Sequence, residues 1–239
     1  MRPEILNPLF AEVDTLDGVG PKLKKPLEKL HCTRVRDVAY HWPDRFVTRR
    51  PVDNLDEAAE GEQIIIALTV TEHRSGASRR APYRVLATDS AGNVLALTFF
   101  GRASYTAKKE LPVGETRRVA GKLERYGDML QMVHPDHVMK IDDPALGQMR
   151  EPVYPLAEGL TQPRMASLAA QALDKLPALP EWIEPGMLAH EKWPAWTDAL
   201  RSVHERDDES AKDRLAYDEL LANQLAMQLV RADNRKKRG

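Results

Sequence analysis

Five strand-like runs between residues 62 and 140 limit what this chain can fold into more than any other feature. The first run is rich in β-branched residues, and the next two flank Asp89–Asn93, a loop of turn-forming residues. Two more runs surround Tyr126–Asp128, which has the composition of a hairpin turn. A helical or irregular stretch, Arg102 to Leu111, separates the third run from the fourth. This order predicts the five-stranded oligonucleotide/oligosaccharide-binding barrel (OB-fold), although other small antiparallel barrels give similar runs.

The residues before these runs have the pattern of short helices. Asn7-Pro8 predicts a helix start, because Asn caps well and Pro suits the first helical position. Pro21 is predicted to open a second helix and Thr33 to cap a third, which Pro43 ends.

The residues after the runs are predicted to be a connector with several prolines, followed by helices. These helices are expected at about 163–176 and 195–204, and from Ser210 onward, where Ser210 and Asp213 resemble a capping box. In the last helix an apolar stripe recurs every four residues, at Tyr217, Leu221, Leu225 and Leu229. We therefore predict an α+β fold in three segments: a helical region (1–55), an OB-fold (56–145) and a helical linker (146–239).

The glycine pair at Gly18 and Gly20 has the spacing of a helix-hairpin-helix turn. Such glycines let the backbone approach a phosphate closely, and Lys22 and Lys24 add positive charge beside it. The alternative is a tight loop between helices with a solvated basic face. Pro26 lies within the second helix and is expected to kink or shorten it.

Aromatic and basic residues come together where the third strand-like run ends. Stacking on unpaired bases requires a flat apolar ring together with positive charge along the nucleic-acid backbone. The candidates for such contacts are Phe100, Arg102, Tyr105, Lys108 and Lys109, with Arg79 and Arg80 on the preceding loop. Because side chains alternate along a strand, we expect Phe99 to lie in the core and Phe100 or Tyr105 to be exposed.

The single cysteine, Cys32, cannot form a disulfide within the chain, which favours a reducing compartment. No apolar run is long enough for a membrane helix, and the first residues lack the pattern of a secretory signal. We therefore expect a cytoplasmic protein with no membrane contact.

Motifs for catalysis are missing from the sequence. It contains no G-x-x-x-x-G-K-[ST] phosphate loop and no G-x-S-x-G nucleophile motif. His134-Pro135-Asp136-His137 has metal-ligating residue types, but Pro135 breaks any helix that would place both histidines on one side. We interpret these histidines as structural residues at the end of a strand.

Several segments between about residue 10 and residue 231 occur in the same order as in a known protein family. They are residues 16–23 (LDGVGPKL), 35–46 (VRDVAYHWPDRF), 99–100 (FF), 131–135 (QMVHP), 152–160 (PVYPLAEGL) and 214–226 (RLAYDELLANQLA). Together they resemble the N-terminal portion of the RecG helicase family, without its motor domains.

The resemblance implies a monomeric, ATP-dependent translocase that acts at replication forks and Holliday junctions in DNA repair and recombination. In that family an OB-fold wedge separates the DNA arms at the branch point. The resemblance places the wedge at residues 60–140 and the stacking aromatics at Phe100 to Tyr105, where Gly101 stands in place of the family's usual Asn. ATP and Mg²⁺ belong to the family's motor, so we expect no cofactor and no ATP hydrolysis in this chain, whose status as an enzyme stays open.

Two other hypotheses belong to different functional classes. In the first, the basic surface around Arg79 and Arg80 binds the acidic tail of a single-strand DNA-binding protein instead of DNA. In the second, a small hydrolase uses His134, Asp136 and His137 with a bound metal ion.

Overall fold

The computed structural model describes residues 3–76, 81–101, 103–143 and 150–238. For residues 236–238 it describes the backbone alone. Contacts group the chain into two units. Unit 1 combines residues 1–46 with 152–239, and unit 2 is the continuous segment Val47–Glu151 between them. The three segments predicted along the chain stay a prediction.

Both helices and strands form within the described residues, which confirms the predicted α+β class. The helices are α1 (Asn7–Phe10), α2 (Pro21–Lys29), α3 (Val35–Ala39), α4 (Ala103–Glu110), α5 (Gln162–Asp174), α6 (Pro185–Glu191), α7 (Trp196–Glu205) and α8 (Glu209–Arg238). The strands are β1 (Arg45–Thr48), β2 (Arg50–Val52), β3 (Gln63–Arg74), β4 (Tyr83–Thr88), β5 (Val94–Phe99), β6 (Thr116–Lys122), β7 (Glu124–Tyr126), β8 (Met129–Val133), β9 (His137–Lys140) and β10 (Arg150–Val153). None of the described helices is both long and apolar enough to cross a membrane.

Unit 2 is built on a sheet with the strand order β7-β8-β5-β4-β3-β6-β9, and β2 pairs with β3 beside this path. The long strand β3 pairs with β6 over its first half and with β4 over its second half, where its register shifts between Val70 and Glu72. Such a bulge bends a strand. The strands β5 and β8 pair in parallel, as the third and last strands of an OB-fold do. Core residues include Ile64, Val85 and Leu97.

The prediction of a closed five-stranded barrel is wrong in one respect. The paired strands form an open sheet whose first and last strands do not pair with each other. The predicted last strand is split in two, so that β8 pairs with β5 and β9 pairs with β6. The split lies at His134, whose φ of 49° is left-handed, and at Pro135, which has no N–H to donate. Across the split, the backbone N–H of His134 bonds to Thr98 of β5 and that of Asp136 bonds to Ala120 of β6.

Unit 1 is helical around its own core, to which Leu27, Val35 and Met165 contribute fully buried side chains. Its buried His204 is hydrogen-bonded at both ring nitrogens. The ring of His204 contacts the Tyr154 hydroxyl at 2.9 Å and the Ala39 carbonyl at 2.9 Å. Burial lowers the pKa of His204, so the imidazole stays neutral and can both donate and accept.

Most of the predicted helices occur with small shifts at their ends. Helix α2 begins at Pro21 as predicted and continues through Pro26 to Lys29. Helix α1 begins at Asn7 itself, and Arg34 rather than Thr33 is the cap of α3.

The last helix begins one residue before the predicted start, and its cap differs. The carboxylate of Asp208 accepts a hydrogen bond from the backbone N–H of Ala211, while the Ser210 hydroxyl donates to the Lys192 carbonyl. Further along α8, the predicted apolar stripe packs only at its beginning. Tyr217 stacks on Trp182 at 5.9 Å, whereas Leu225 and Leu229 are exposed.

Candidate nucleic-acid interface

Two aromatic rings meet at the end of β5 and β8 in unit 2. Phe99, the last residue of β5, is buried, and Phe100 directly after it is 45% exposed, as the alternation predicted. The Phe100 ring centroid lies 5.7 Å from that of His134, and His134 also meets Phe99 edge-on at 6.3 Å. His134 is exposed, and its backbone N–H is fixed between β8 and β9 by the hydrogen bond to Thr98. We call Phe100 and His134 the aromatic tip.

Tyr105 lies on α4, the helix that follows the aromatic tip. Gly101 has a φ of 62°, which a side chain would disfavour, and its carbonyl accepts a hydrogen bond from the Ser104 hydroxyl. The chain thereby turns directly from β5 into α4. Tyr105 is 83% exposed, so its ring is accessible to a ligand.

A partly buried polar contact fixes the far end of α4. The Nε2 atom of His73 donates to the Leu111 carbonyl at 2.7 Å, which leaves Nδ1 to accept from the Tyr83 hydroxyl at 2.6 Å in the neutral imidazole. Burial raises the pKa of Tyr83, which keeps its hydroxyl protonated as a donor. The ammonium of Lys108 lies 5.7 Å from the centre of the Tyr83 ring. Helix α4 is therefore anchored at both ends.

The structure brings four of the predicted contact residues onto one segment of unit 2. Phe100, Tyr105, Lys108 and Lys109 are all exposed. Arg79, Arg80 and Arg102 lie outside the described residues, so their positions and the peptide-tail hypothesis that depends on two of them stay predictions.

The glycine turn belongs to unit 1. Gly18 has a φ of 81°, and a Cβ atom placed there would overlap the Arg164 guanidinium. Gln171 of α5 holds the turn by accepting a 2.7 Å hydrogen bond from the Asp17 backbone N–H. Gly20 is the residue before α2, with open space around it.

The lysines beside the glycine turn differ in availability. Lys22 is exposed, but the Lys24 ammonium is 2.6 Å from the Asp14 carboxylate. The hydrogen bond to Asp14 raises the pKa of Lys24. Lys22 is therefore better placed than Lys24 to meet a phosphate, while the DNA-binding role of all four predicted residues of this turn stays a prediction.

Sequence reasoning treated His134 as structural and missed its place beside Phe100. The available signal was the pair His134-Pro135. In the sequence, His134 was weighed only as a metal ligand and Pro135 only as a helix breaker. His137 instead contacts the Glu151 carboxylate at 2.9 Å. Across the described ranges, no group of three or more His, Cys, Asp or Glu side chains is arranged to hold a metal ion.

The aromatic tip and α4 together offer exposed rings with lysines beside them. Rings of this kind stack on bases whatever their sequence, and ammonium groups attract phosphates. The arrangement is suited to binding nucleic acid by stacking and charge.

Comparison with known protein families identifies the chain's relatives. The model of the family described as "RecG wedge domain" matches residues 12–176. The chain belongs to the RecG wedge domain family. The match covers the whole of unit 2 and therefore both the aromatic tip and α4.

Individual relatives of the RecG wedge agree with this assignment. The chain is 32% identical to the ATP-dependent DNA helicase RecG of Acidithiobacillus ferridurans over 93% of its own length and 33% of that protein. It is 28% identical to the protein of the same name from Escherichia coli K12, covering 92% of the chain and 33% of that relative. The chain thus spans about a third of the length of these curated relatives.

The fold of the RecG wedge also occurs in a solved structure described as "Structure of RecG bound to three-way DNA junction". That structure superimposes with a TM-score of 0.73 over 95% of this chain and 32% of the solved chain, at 23% sequence identity. At this identity the likeness establishes a shared fold.

Proposed function

We propose that this chain is the branched-DNA-binding wedge module of a RecG-type helicase, acting on replication forks and Holliday junctions in DNA repair and recombination. The observation that carries the proposal is the aromatic tip, with its exposed Phe100 ring at the end of an OB-like sheet. A RecG protein has been solved on a three-way DNA junction, which supports branched DNA as the ligand.

In this proposal the wedge acts without chemistry of its own. The Phe100 ring stacks on a base at the branch point, and Tyr105 offers a second exposed ring from α4. Lys108 and Lys109 contact the phosphates of an arm. The ends of β5 and β8 that carry the aromatic tip lie between the arms and prevent them from pairing again.

Further parts of the proposal follow from the family. We infer that ATP and Mg²⁺ are used by the motor of the RecG-type protein and that these residues alone do not hydrolyse ATP. We also infer a monomer in the cytoplasm. Cys32 is a buried free thiol whose pKa is raised to about 12 by burial, so it suits a reducing compartment and is unreactive.

Fluorescence anisotropy with a synthetic fork, a plain duplex and a single strand tests this function. We expect the tightest binding to the fork, and we expect Phe100→Ala or Tyr105→Ala to weaken it by about 1–3 kcal/mol each, the usual contribution of a stacked base. Val113→Ala removes another exposed apolar side chain and should leave binding unchanged.

The salt dependence separates stacking from charge in the same experiment. Binding should weaken between about 50 and about 200 mM salt, because phosphate contacts release counterions. Replacing Lys108 and Lys109 by Gln should lower the slope of log affinity against log salt by about 1 for each lost contact. Equal affinity for fork, duplex and single strand would contradict the proposal. Displacement of the fork by an acidic tail peptide of a single-strand DNA-binding protein would favour the peptide hypothesis.

A further inference from the structure

A cavity opens in unit 1 between the loop before α6, the start of α7 and the middle of α8. Its volume is about 390 Å³, which lies within the range of about 300–1,000 Å³ that small-molecule sites occupy. Most of its lining is apolar and includes the rings of Trp182 and Trp196 and the side chains of Leu221 and Leu225. The cavity is separate from the aromatic tip and from α4, which belong to unit 2.

The two tryptophan rings of the cavity are held in place by their own contacts. The indole N–H of Trp196 donates to the Tyr40 hydroxyl at 3.0 Å. Trp182 stacks on Tyr217, with ring centroids 5.9 Å apart and ring planes 5° apart. Trp182 is still 50% exposed, so part of its ring surface is available to a ligand. Walls that are fixed before binding reduce the entropy lost when a ligand binds.

Three charged side chains also line the cavity. The guanidinium of Arg214 is fully buried and bonds to the carboxylates of Glu181, at 2.9 Å, and Asp218. Glu181 also accepts hydrogen bonds from the backbone N–H groups of Trp182 at 2.9 Å and Ile183 at 3.0 Å. Asp218 is less well satisfied, because within the described residues its Oδ2 atom has no partner with hydrogen-bond geometry.

The charges around the cavity do not balance. One guanidinium faces two carboxylates, which leaves a net charge of about −1, and a carboxylate removed from water is costly unless it is compensated. Burial raises the pKa of the Asp218 carboxyl, and the neighbouring Arg214 only partly opposes this effect. Glu219, which lines the adjoining cleft together with Asp218, adds further negative charge. The cavity therefore lacks a positive group beside Asp218.

The missing group defines the chemistry of a matching ligand. An ammonium group supplies both a positive charge and N–H donors, and the faces of tryptophan rings attract cations. An anionic ligand would be repelled by Asp218, and an uncharged one would leave the carboxylate uncompensated. The apolar lining requires an apolar body joined to the ammonium group.

We propose that this cavity binds a small hydrophobic amine, whose aromatic or branched alkyl group contacts Trp182 and Trp196 and whose ammonium group lies beside Asp218. We call the cavity the amine site. It lies within unit 1 and does not depend on the proposed function in DNA binding.

Isothermal titration calorimetry on the full 239-residue chain tests the proposal with three probes of the same shape and different charge. They are phenethylamine, which is protonated at neutral pH, uncharged phenethyl alcohol and anionic hydrocinnamate. We expect phenethylamine to bind with a Kd of about 1 mM or tighter, and at least about 10-fold more tightly than the alcohol. Hydrocinnamate should not bind.

Two substitutions separate the charge from the apolar walls. Asp218→Asn keeps the shape of the side chain and leaves Arg214 paired with Glu181. It should weaken phenethylamine by about 10-fold or more, to the affinity of the alcohol, and leave the alcohol unchanged. Trp182→Ala should weaken both compounds, because both lose the ring contact. A purely structural effect of Asp218→Asn would weaken the two compounds equally.

A blocking variant tests the location of the site without touching the core. Ala222 is exposed and lines the cavity, so Ala222→Phe should fill it and abolish amine binding while the free energy of unfolding stays unchanged. Ala216→Phe makes the same change at an exposed position of α8 that does not line the cavity. This control should bind phenethylamine like the wild type.

Several results would overturn the amine site. They include no binding of phenethylamine, equal affinity for the amine and the alcohol, and unchanged binding in Ala222→Phe. A Phe-Ala-amide peptide that binds at least about 10-fold more tightly than phenethylamine would make the cavity a peptide site instead. Self-association of the wild type that Ala222→Phe abolishes in sedimentation experiments would assign the cavity to a second copy of the chain. Loss of amine binding in Ala222→Phe, with control binding intact, supports the site whether or not the chain binds forks.

Discussion

Gly18 shows how one residue determines the glycine turn of unit 1. Its φ of 81° lies in the left-handed region, and the Arg164 side chain occupies the space where a Cβ atom would be. An L-residue in that region costs about 1–2 kcal/mol. The guanidinium is the end of a flexible side chain and can move, so the backbone conformation is the larger part of the effect.

We therefore expect Gly18→Ala to lower the free energy of unfolding by about 1–2 kcal/mol, measured by urea denaturation. Gly20→Ala is the matched control, because Gly20 has a φ of −102° and open space around it. Alanine at this position caps α2 slightly less well than glycine, which lowers the free energy of unfolding. It also reduces the conformational entropy of the unfolded chain, which raises the free energy of unfolding, so the two effects nearly cancel. Equal losses for the two variants would show that the positive φ of Gly18 is unimportant.

At the residue scale, the sequence predicted what depends on neighbours along the chain. Strand alternation distinguished buried Phe99 from exposed Phe100. Tyr126 was recognised only as part of a hairpin turn. Its ring centre lies 6.0 Å from the Arg84 guanidinium, a contact that depends on which strands are neighbours in the sheet. His134 was missed for the same reason, since Phe100 reaches it only through the parallel pairing of β5 with β8.

At the scale of elements, one imidazole joins the end of α4 to the sheet by hydrogen bonds. His73 of β3 bonds to the Leu111 carbonyl just after α4, and to Tyr83 of β4. We expect His73→Ala to lower the free energy of unfolding by about 1–3 kcal/mol, because it leaves both partners without this hydrogen bond. In hydrogen-exchange measurements, the amides of α4 should exchange faster, while those of β6 keep their protection.

His190→Ala provides the control for the α4 prediction. The His190 side chain is 83% exposed and contacts the neighbouring Glu191, so its loss should change stability by less than about 0.5 kcal/mol. If His73→Ala left exchange in α4 unchanged, the helix would be held by the packing of Ala107 and Leu111 alone.

The elements best predicted from the sequence are those with a strong local signal. β4 and β5 flank the predicted loop Asp89–Asn93, and α5 and α7 differ from prediction by one or two residues at their ends. β1, β2, β10 and α6 were missed, because all four are short and the last three contain a proline. The split of the last strand into β8 and β9 follows from pairing with two different partners, which no local pattern contains.

At the scale of the whole molecule, one ionic network joins the two ends of unit 2. The buried guanidinium of Arg49 bonds to the Glu151 carboxylate at 2.7 Å and to that of Asp136 at 2.9 Å. His137 contacts the same Glu151 carboxylate at 2.9 Å. Burial alone would raise the pKa of Glu151, but the contacts with His137 and Arg49 outweigh it and lower this pKa.

A lowered pKa means that Glu151 stabilises the folded state above its unfolded pKa of about 4.3, and that this contribution is lost as the pH falls through the lower folded value. Glu151→Gln should therefore cost about 1–3 kcal/mol at neutral pH, and its difference from the wild type should shrink below about pH 4. Urea denaturation at several pH values measures both. Glu60→Gln breaks an exposed pair and should cost less than about 1 kcal/mol. A Glu151→Gln difference that stays constant with pH would contradict this account.

The discontinuity of unit 1 has a consequence for the order of folding. Unit 2 is one uninterrupted segment, so it can complete its contacts without the residues on either side of it. Unit 1 must bring residues 1–46 and residues 152–239 together, although the whole of unit 2 lies between them in the sequence. The hydrogen bond from the Asp44 backbone N–H to the Val153 carbonyl, at 2.9 Å, is one contact that joins the two parts. Closing a long flexible loop is entropically unfavourable and slow. A folded unit 2 replaces that flexible loop by a compact body, and residues 152–239, which are synthesised after unit 2, then complete unit 1.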